Sequence, residues 1–273
     1  MRLKALCLLL VPLLLATACG RLPFTGTKGR MERLSGEQIG QEYLVKDSPE
    51  VKRRQSVQTL LARALQRMQA GEPDAAEKDA RAALKLDPAS ADAMTVLAVV
   101  EDQRGNTSAA GQSYKRAAEL APSQGAALNN YGTWLCANGF AAESLVWFDR
   151  AIQAPGYATP GAAMANAGSC ALKAGQKERA ARDLRQALAI EPANAVALEA
   201  MAQLEFDQQQ YMSARAFVER RLAASPASAS VLKLASQIEE RLGDKAAASR
   251  YVQRIRAEFP DAQDVTTGGN AGP

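Results

Sequence analysis

The sequence predicts an all-α fold, a right-handed superhelical solenoid of about six helix-turn-helix repeats. Three observations carry this expectation. The chain of 273 residues holds 56 alanines but only 14 Phe, Trp or Tyr, and an Ala- and Leu-rich chain poor in aromatic and β-branched residues favours helix over strand. Prolines, glycines and alanines recur together at a spacing of 34 residues. Each period contains two amphipathic stretches of about 14 residues with a glycine between them.

In chain order, Met1-Arg2-Leu3-Lys4 is a short basic start, and Ala5 to Leu15 is an apolar run interrupted by Pro12. A run this short does not span a bilayer as a helix, which takes about 20 residues, but it fits the apolar region of a signal peptide. It ends in Leu15-Ala16-Thr17-Ala18-Cys19-Gly20. Small residues before a cysteine resemble a bacterial lipoprotein signal, in which residues 1–18 are removed and Cys19 is lipidated on its thiol and amine. Ala16 stands where Leu is commonest in such signals. The other reading is an ordinary signal peptide with an incidental cysteine. Gly20 rather than Asp after the cysteine resembles the outer-membrane class of these lipoproteins. Several acyl chains together anchor stably, so the expected location is the outer membrane, lipid-anchored and facing the periplasm.

Residues 19–48 then read as the lipidated cysteine and a flexible tether, with Gly20, Gly26, Gly29, Gly36 and Gly40 among polar residues. A coil of that length spans roughly 30 Å. Ser48-Pro49-Glu50 is a helix start, with Ser as N-cap, Pro at the first helical position and an acid in the first turn.

From there the repeat takes over. Pro88 and Pro122 are 34 residues apart, as are successive members of Pro192, Pro226 and Pro260. Gly71, Gly105 and Gly139 keep the same step, and so do Ala180, Ala214 and Ala248. Between Gly139 and Gly175 the step is 36, which places a two-residue insertion near Pro155 to Pro160. Leu86-Asp87-Pro88 and Ile190-Glu191-Pro192 are helix stops, because Pro cannot continue a helix and pushes its predecessor out of the α region. Ala or Gly at the eighth position (Ala64, Ala98, Gly132, Gly168, Ala202) and Ala at the twentieth (Ala76, Ala110, Ala180, Ala214, Ala248) let paired helices approach closely. Together these features are the tetratricopeptide (TPR) pattern. Six units fit a repeat domain of residues 49–262: 57–90, 91–124, 125–160, 161–194, 195–228 and 229–262. Their first helices should line a concave groove. Residues 263–273, with Thr266-Thr267-Gly268-Gly269-Asn270, read as a disordered tail.

Composition also limits function. The chain has no His, which excludes zinc sites with histidine ligands, Ser-His-Asp triads, Cys-His dyads and His-ligated haem. No Gly-rich phosphate loop, nucleophile elbow or metal cluster is present in the sequence, so neither an enzyme, a cofactor nor a small-molecule substrate is expected. Lys+Arg is 33 and Asp+Glu is 29. Without Arg2 and Lys4 of the signal the balance is 31 against 29, which makes no electrostatic case for nucleic acid.

The third unit runs Ala127-Leu128-Asn129-Asn130-Tyr131-Gly132-Thr133-Trp134-Leu135-Cys136-Ala137-Asn138-Gly139, and the fourth contains Asn166-Ala167-Gly168-Ser169-Cys170. With Leu242-Gly243-Asp244 and Ser249-Arg250-Tyr251-Val252 near the end, these segments resemble the PilF/PilW family of type IV pilus biogenesis lipoproteins. The resemblance covers lipobox, tether and repeats, nearly the whole mature chain. It implies a pilotin, a lipoprotein that helps the type IV pilus secretin reach the outer membrane and multimerise there. The implied partners are the secretin and, through the lipid anchor, the outer membrane. The second class considered is a general TPR lipoprotein scaffold that recruits cell-wall or outer-membrane assembly proteins, whose repeats would look the same.

Cys7 would leave with the signal, so Cys136 and Cys170 remain beside Cys19. They are the twelfth residue of unit three and the tenth of unit four. An offset of two positions turns about 200° around a helix, so the two can face each other across adjacent units. The periplasm is oxidising, and a disulfide between them is expected. Two buried free thiols are the other reading.

First-helix positions 2, 5, 9 and 12 of such repeats usually face the groove. In unit one these are Gln58, Leu61, Leu65 and Met68, the most apolar set, and the groove reads as polar beyond it, from Asp92, Thr95, Val99 and Asp102 to Ser230, Lys233, Gln237 and Glu240. Exposed apolar patches mark interaction sites. Leu61, Leu65 and Met68 are therefore the candidate secretin contacts, unless the helix from Pro49 or the tether covers them as a cap. Asn129 is a candidate for hydrogen bonding an extended peptide in the groove, and Asn130 for satisfying local backbone groups. Tyr131, Trp134, Trp147 and Phe148 fall at helical spacing and read as core.

Overall fold

In a computed structural model that describes residues 47–265, the described residues form helices joined by short turns. Among the described residues twelve α-helices succeed one another: α1 (Pro49–Gln69), α2 (Pro73–Leu86), α3 (Ala91–Gln103), α4 (Thr107–Leu120), α5 (Gly125–Ala137), α6 (Ala141–Gln153), α7 (Pro160–Lys173), α8 (Lys177–Ile190), α9 (Ala195–Asp207), α10 (Tyr211–Ala224), α11 (Ala229–Leu242) and α12 (Lys245–Glu258). The signal at 1–18, Cys19 with its tether as far as residue 46, and the tail from residue 266 lie outside the described residues.

Successive helices pair as hairpins, α1 with α2 through α11 with α12. The first helix of each hairpin also packs on the first helix of the next, in the row α1, α3, α5, α7, α9, α11. The second helices make no comparable row. The first helices therefore line the inner side of a right-handed TPR solenoid, as stacked repeats with unequal layers must curve.

The array opens on Ser48, whose Oγ accepts from the Val51 N–H at 3.2 Å and caps α1. α1 runs unbroken for 21 residues. The segment from Pro49 thus extends the first helix and does not fold back over Leu61, Leu65 and Met68 as a cap. Within each hairpin the turn is closed by a residue in the left-handed region. Gly71, Gly105, Gly139, Gly175 and Gly243 fill five of these places with φ from +74° to +90°, and Gln209 fills the sixth at φ +61°.

Packing inside four of the hairpins, those of units one, three, four and five, matches the size of the eighth residue to that of the twenty-fourth. Gly132 faces Phe148, and a Cβ there would stand 2.9 Å from the ring. Gly168 faces Leu184, and a Cβ there would stand 2.5 Å from Leu184 Cγ and 3.1 Å from its backbone nitrogen. In units one and five the eighth residue is Ala64 or Ala202, and the buried residue sharing its cluster is the smaller Ala80 or Val218. Interiors this close-packed trade one methyl group for another across the interface.

Polar staples tie the hairpins. Asp79, buried on α2, accepts from Arg63 Nε at 2.6 Å and pairs with Arg67 Nη1 at 2.7 Å, both from α1. The insertion after α6 carries Tyr157, whose ring folds back on Gly125, where a Cβ would stand 2.4 Å away. The described array ends just after α12, and the tail expected from 263 lies, beyond residue 265, outside the described residues. A 3-10 helix spans Pro260–Val265. The fixed φ of Pro260 suits a helix start, and the Ala262 N–H donates to the Phe259 carbonyl at 3.0 Å.

Candidate functional site

The candidate residues lie on or behind the concave row of first helices. Val57, Gln58 and Leu61 of α1, with Asp92 of α3 and Gln124 before α5, border a depression of about 460 Å³. Asp92 is held there by a hydrogen bond from Gln124 Nε2 at 3.0 Å. The predicted apolar stripe divides. Leu65 is 55% exposed. Leu61 is half-buried and shared between this depression and the core against Val96 and Leu97. Met68 is half-buried against the same cluster and is committed mainly to packing α1 on α3.

Asn129 on α5 is half-buried, and its Oδ1 accepts from Asn166 Nδ2 on α7 at 3.1 Å. Among the described residues the Asn130 amide makes no side-chain hydrogen bond, which corrects the expectation that it serves local backbone groups. It faces a depression between α3, α4 and α5 with Asp102, Tyr114 and Trp134. Of the four aromatics read as core, Tyr131 and Phe148 are buried, while Trp134 and Trp147 are half-buried against the same core. Burial pushes the Tyr131 phenol above its ordinary pKa, with Glu143 and Glu119 adding to it.

Cys136 and Cys170 are joined by a disulfide with Cα atoms 5.9 Å apart, linking α5 to α7. Cys136 stands at a groove position by count but is buried by this link.

A second apolar depression of about 430 Å³ corrects the reading of a groove polar beyond unit one. Leu172 of α7, Val196 of α9 and Leu234 of α11 form its apolar part, bordered by Lys173, Glu199 and Gln203. Glu199 accepts from Ser230 Oγ at 2.9 Å and lies 3.5 Å from Arg221 Nε, too poorly aligned for a hydrogen bond. The signal in the sequence was Leu172, the twelfth residue of unit four and the counterpart of Met68. Among the described residues no cluster of three or more His, Cys, Asp or Glu is placed to hold a metal, and no helix is long and apolar enough to cross a membrane.

The hairpin array and its open concave face define a tetratricopeptide-repeat scaffold for protein–protein interaction. Tetratricopeptide-repeat family models match residues 61–125 and residues 162–194. Among solved structures the chain is similar to PilW, described as a widely conserved type IV pilus biogenesis factor, with 28% identity over 78% of this chain and 98% of that one and a TM-score of 0.70. It is similar in fold to PilF of Pseudomonas aeruginosa, with 23% identity over 79% of this chain and 98% of that one and a TM-score of 0.68. A tetratricopeptide repeat protein of Parabacteroides merdae shares the fold at 17% identity, over 75% of this chain and 80% of that one, with a TM-score of 0.58. No curated protein sequence matches the chain.

Proposed function

We propose that this chain is an outer-membrane lipoprotein acting as a pilotin-like assembly factor, which supports the localisation and multimerisation of the type IV pilus secretin through its repeats. The observation that supports this reading best is the likeness to PilW, which extends over 98% of that chain and so spans an array and not a few repeats. In this reading residues 1–18 are removed and Cys19, lipidated, anchors the chain to the outer membrane with the repeats in the periplasm. Leu65 is the free apolar contact for the secretin. Leu61 borders it, Met68 supports it from behind, and the Asn129 amide is placed to hydrogen-bond an extended segment.

A deletion strain tests the reading, with the outer membrane probed for heat-stable, detergent-resistant secretin multimers. Multimers and twitching motility should be lost, and should return with the wild-type gene but not with Cys19→Ala. Leu65→Lys should also fail to restore multimers while keeping a wild-type circular dichroism spectrum, because this side chain is mostly in solvent. Intact multimers in the deletion strain would remove the secretin from the account and leave a TPR scaffold for another envelope assembly.

A further inference from the structure

Between α3 and α5, above α4, lies a depression of about 310 Å³ lined by Val99, Asp102, Tyr114, Asn130, Thr133 and Trp134 among others. Asp102 is the one charged residue in its lining. Asp102 is exposed, and among the described residues its carboxylate has no ion pair and no side-chain hydrogen bond, so it is free to take a counter-ion from outside the chain. The Asn130 amide beside it is equally uncommitted. Two aromatic side chains complete the wall. Trp134 is seated against Gly111, where a Cβ would stand 2.3 Å from the ring, and its Nε1 is buried without an acceptor. Burial and the nearby Asp102 charge push the Tyr114 phenol up to about 12, so it stays neutral.

A carboxylate without a counter-ion beside aromatic rings is the chemistry that takes a cation, since the ring face attracts positive charge and the carboxylate pairs with it. Elsewhere in the array the chain's own arginines already sit over aromatic rings. Arg150 lies over the Trp147 ring at 4.5 Å, and Arg241 lies 5.8 Å from both Phe206 and Tyr211. The groove positions of units two to six carry Asp92, Asp102, Glu199 and Glu240 against Lys233 alone, so the surrounding field favours a basic ligand.

We propose that this depression is a subsite for a lysine or arginine side chain carried on an extended segment of a partner protein, with the Asn130 amide holding that segment's backbone. It is separate from Leu65 and goes beyond the secretin reading, because it specifies a side chain and not a partner.

The chain has two tryptophans, so the ¹⁵N-labelled full chain in detergent gives two indole resonances, assigned with Trp134→Phe. The probes are the tripeptides Ac-Ala-Arg-Ala-NH₂, Ac-Ala-Glu-Ala-NH₂ and Ac-Ala-Ala-Ala-NH₂. The Trp134 indole should shift saturably with the arginine peptide only, while the Trp147 indole, already under Arg150, stays in place. Asp102→Asn should weaken the binding at least fivefold with an unchanged circular dichroism spectrum, and Leu65→Lys should titrate as wild type. A stationary Trp134 resonance, an equal response to the glutamate or alanine peptide, or full affinity in Asp102→Asn would each overturn the proposal. None of these results depends on secretin multimers.

Discussion

Replacing Gln209 by glycine should make this protein more stable. Five of the six hairpin turns place glycine at φ from +74° to +90°, and unit five places Gln209 there at +61°. An L-residue in the left-handed region crowds its Cβ against the backbone at a cost of about 1–2 kcal/mol. Glycine removes that cost but is offset by about 0.4–1 kcal/mol through its freer unfolded chain. The expected net gain is about 0.5–1 kcal/mol. Little else changes, because Gln209 is exposed and its side chain makes no hydrogen bond among the described residues. Its backbone N–H donates to the Phe206 carbonyl at 2.9 Å, a bond that glycine keeps. For a chain of this size the gain amounts to a rise in Tm of about 1–4 °C, followed by far-UV circular dichroism. Gly175→Gln in unit four should lower Tm by a similar amount. Repeat stability is nearly a sum of local terms, so the two changes together should return Tm close to wild type. A neutral or destabilising Gln209→Gly, beside a destabilising Gly175→Gln, would show that unit five relieves the strain in a way that the backbone geometry does not contain.

The disulfide and one buried acid yield two further expectations. The Cys136–Cys170 bond spans a sequence separation of 34, and loop-closure entropy makes it worth ~3–4 kcal/mol; Cys136→Ser/Cys170→Ser should lose amide-exchange protection mainly in α5 to α8, and equal loss along all twelve helices would contradict a local role. Hydrogen bonds from Arg63 hold the Asp79 carboxyl below its ordinary pKa, outweighing burial, which acts the other way; a lowered folded pKa contributes stability that is complete above the unfolded value near 4 and is lost as pH falls through the folded one. Asp79→Asn should therefore be less stable than wild type at pH 7, with the difference shrinking below about pH 4, and a pH-independent difference in urea midpoints would refute the pairing.

The fold was legible because its signals are local and repeated. Ser48-Pro49-Glu50 marks a helix start by capping chemistry alone, and Ser48 does cap α1. The turn of unit five shows where local signals end. Asp207-Gln208-Gln209-Gln210 contains no glycine or proline, yet the flanking helices pack as a hairpin and force Gln209 into the conformation that glycine takes elsewhere. The groove was harder to read because position in a repeat sets direction but not depth. Leu65 and Met68 both count as groove positions, and only Leu65 remains largely in solvent, since Met68 reaches the cluster of Val96, Leu97 and Val100. Leu172 became part of an apolar depression only through Val196 and Leu234, far along the chain. Asn130 was misread because Asn side chains often bond nearby backbone groups, whereas in the middle of α5 those groups are used by the helix and the amide faces the neighbouring depression.

The distribution of ties along the array bears on how the groove meets a partner. Between units three and four the first helices are joined covalently through Cys136 and Cys170 and by Asn166 to Asn129 at 3.1 Å, and the second helices by Arg179 to Asp149 at 2.5 Å. Between units one and two Arg104 reaches Asp74 and Glu77, and between units five and six Arg215 reaches Glu239. Solvent-facing pairs of the first kind add little stability and are weakened further by salt. In a solenoid each junction sets its own share of the curvature. The curvature is therefore held most firmly at the middle, where the cross-link removes freedom. The apolar ground lies on both sides of it. Leu61 and Leu65 stand on unit one, and Leu172, Val196 and Leu234 run from the fixed junction toward unit six. A partner segment lying along the groove would meet a preset spacing at its centre, an arrangement that keeps the ordering cost of binding low where the surface is already rigid.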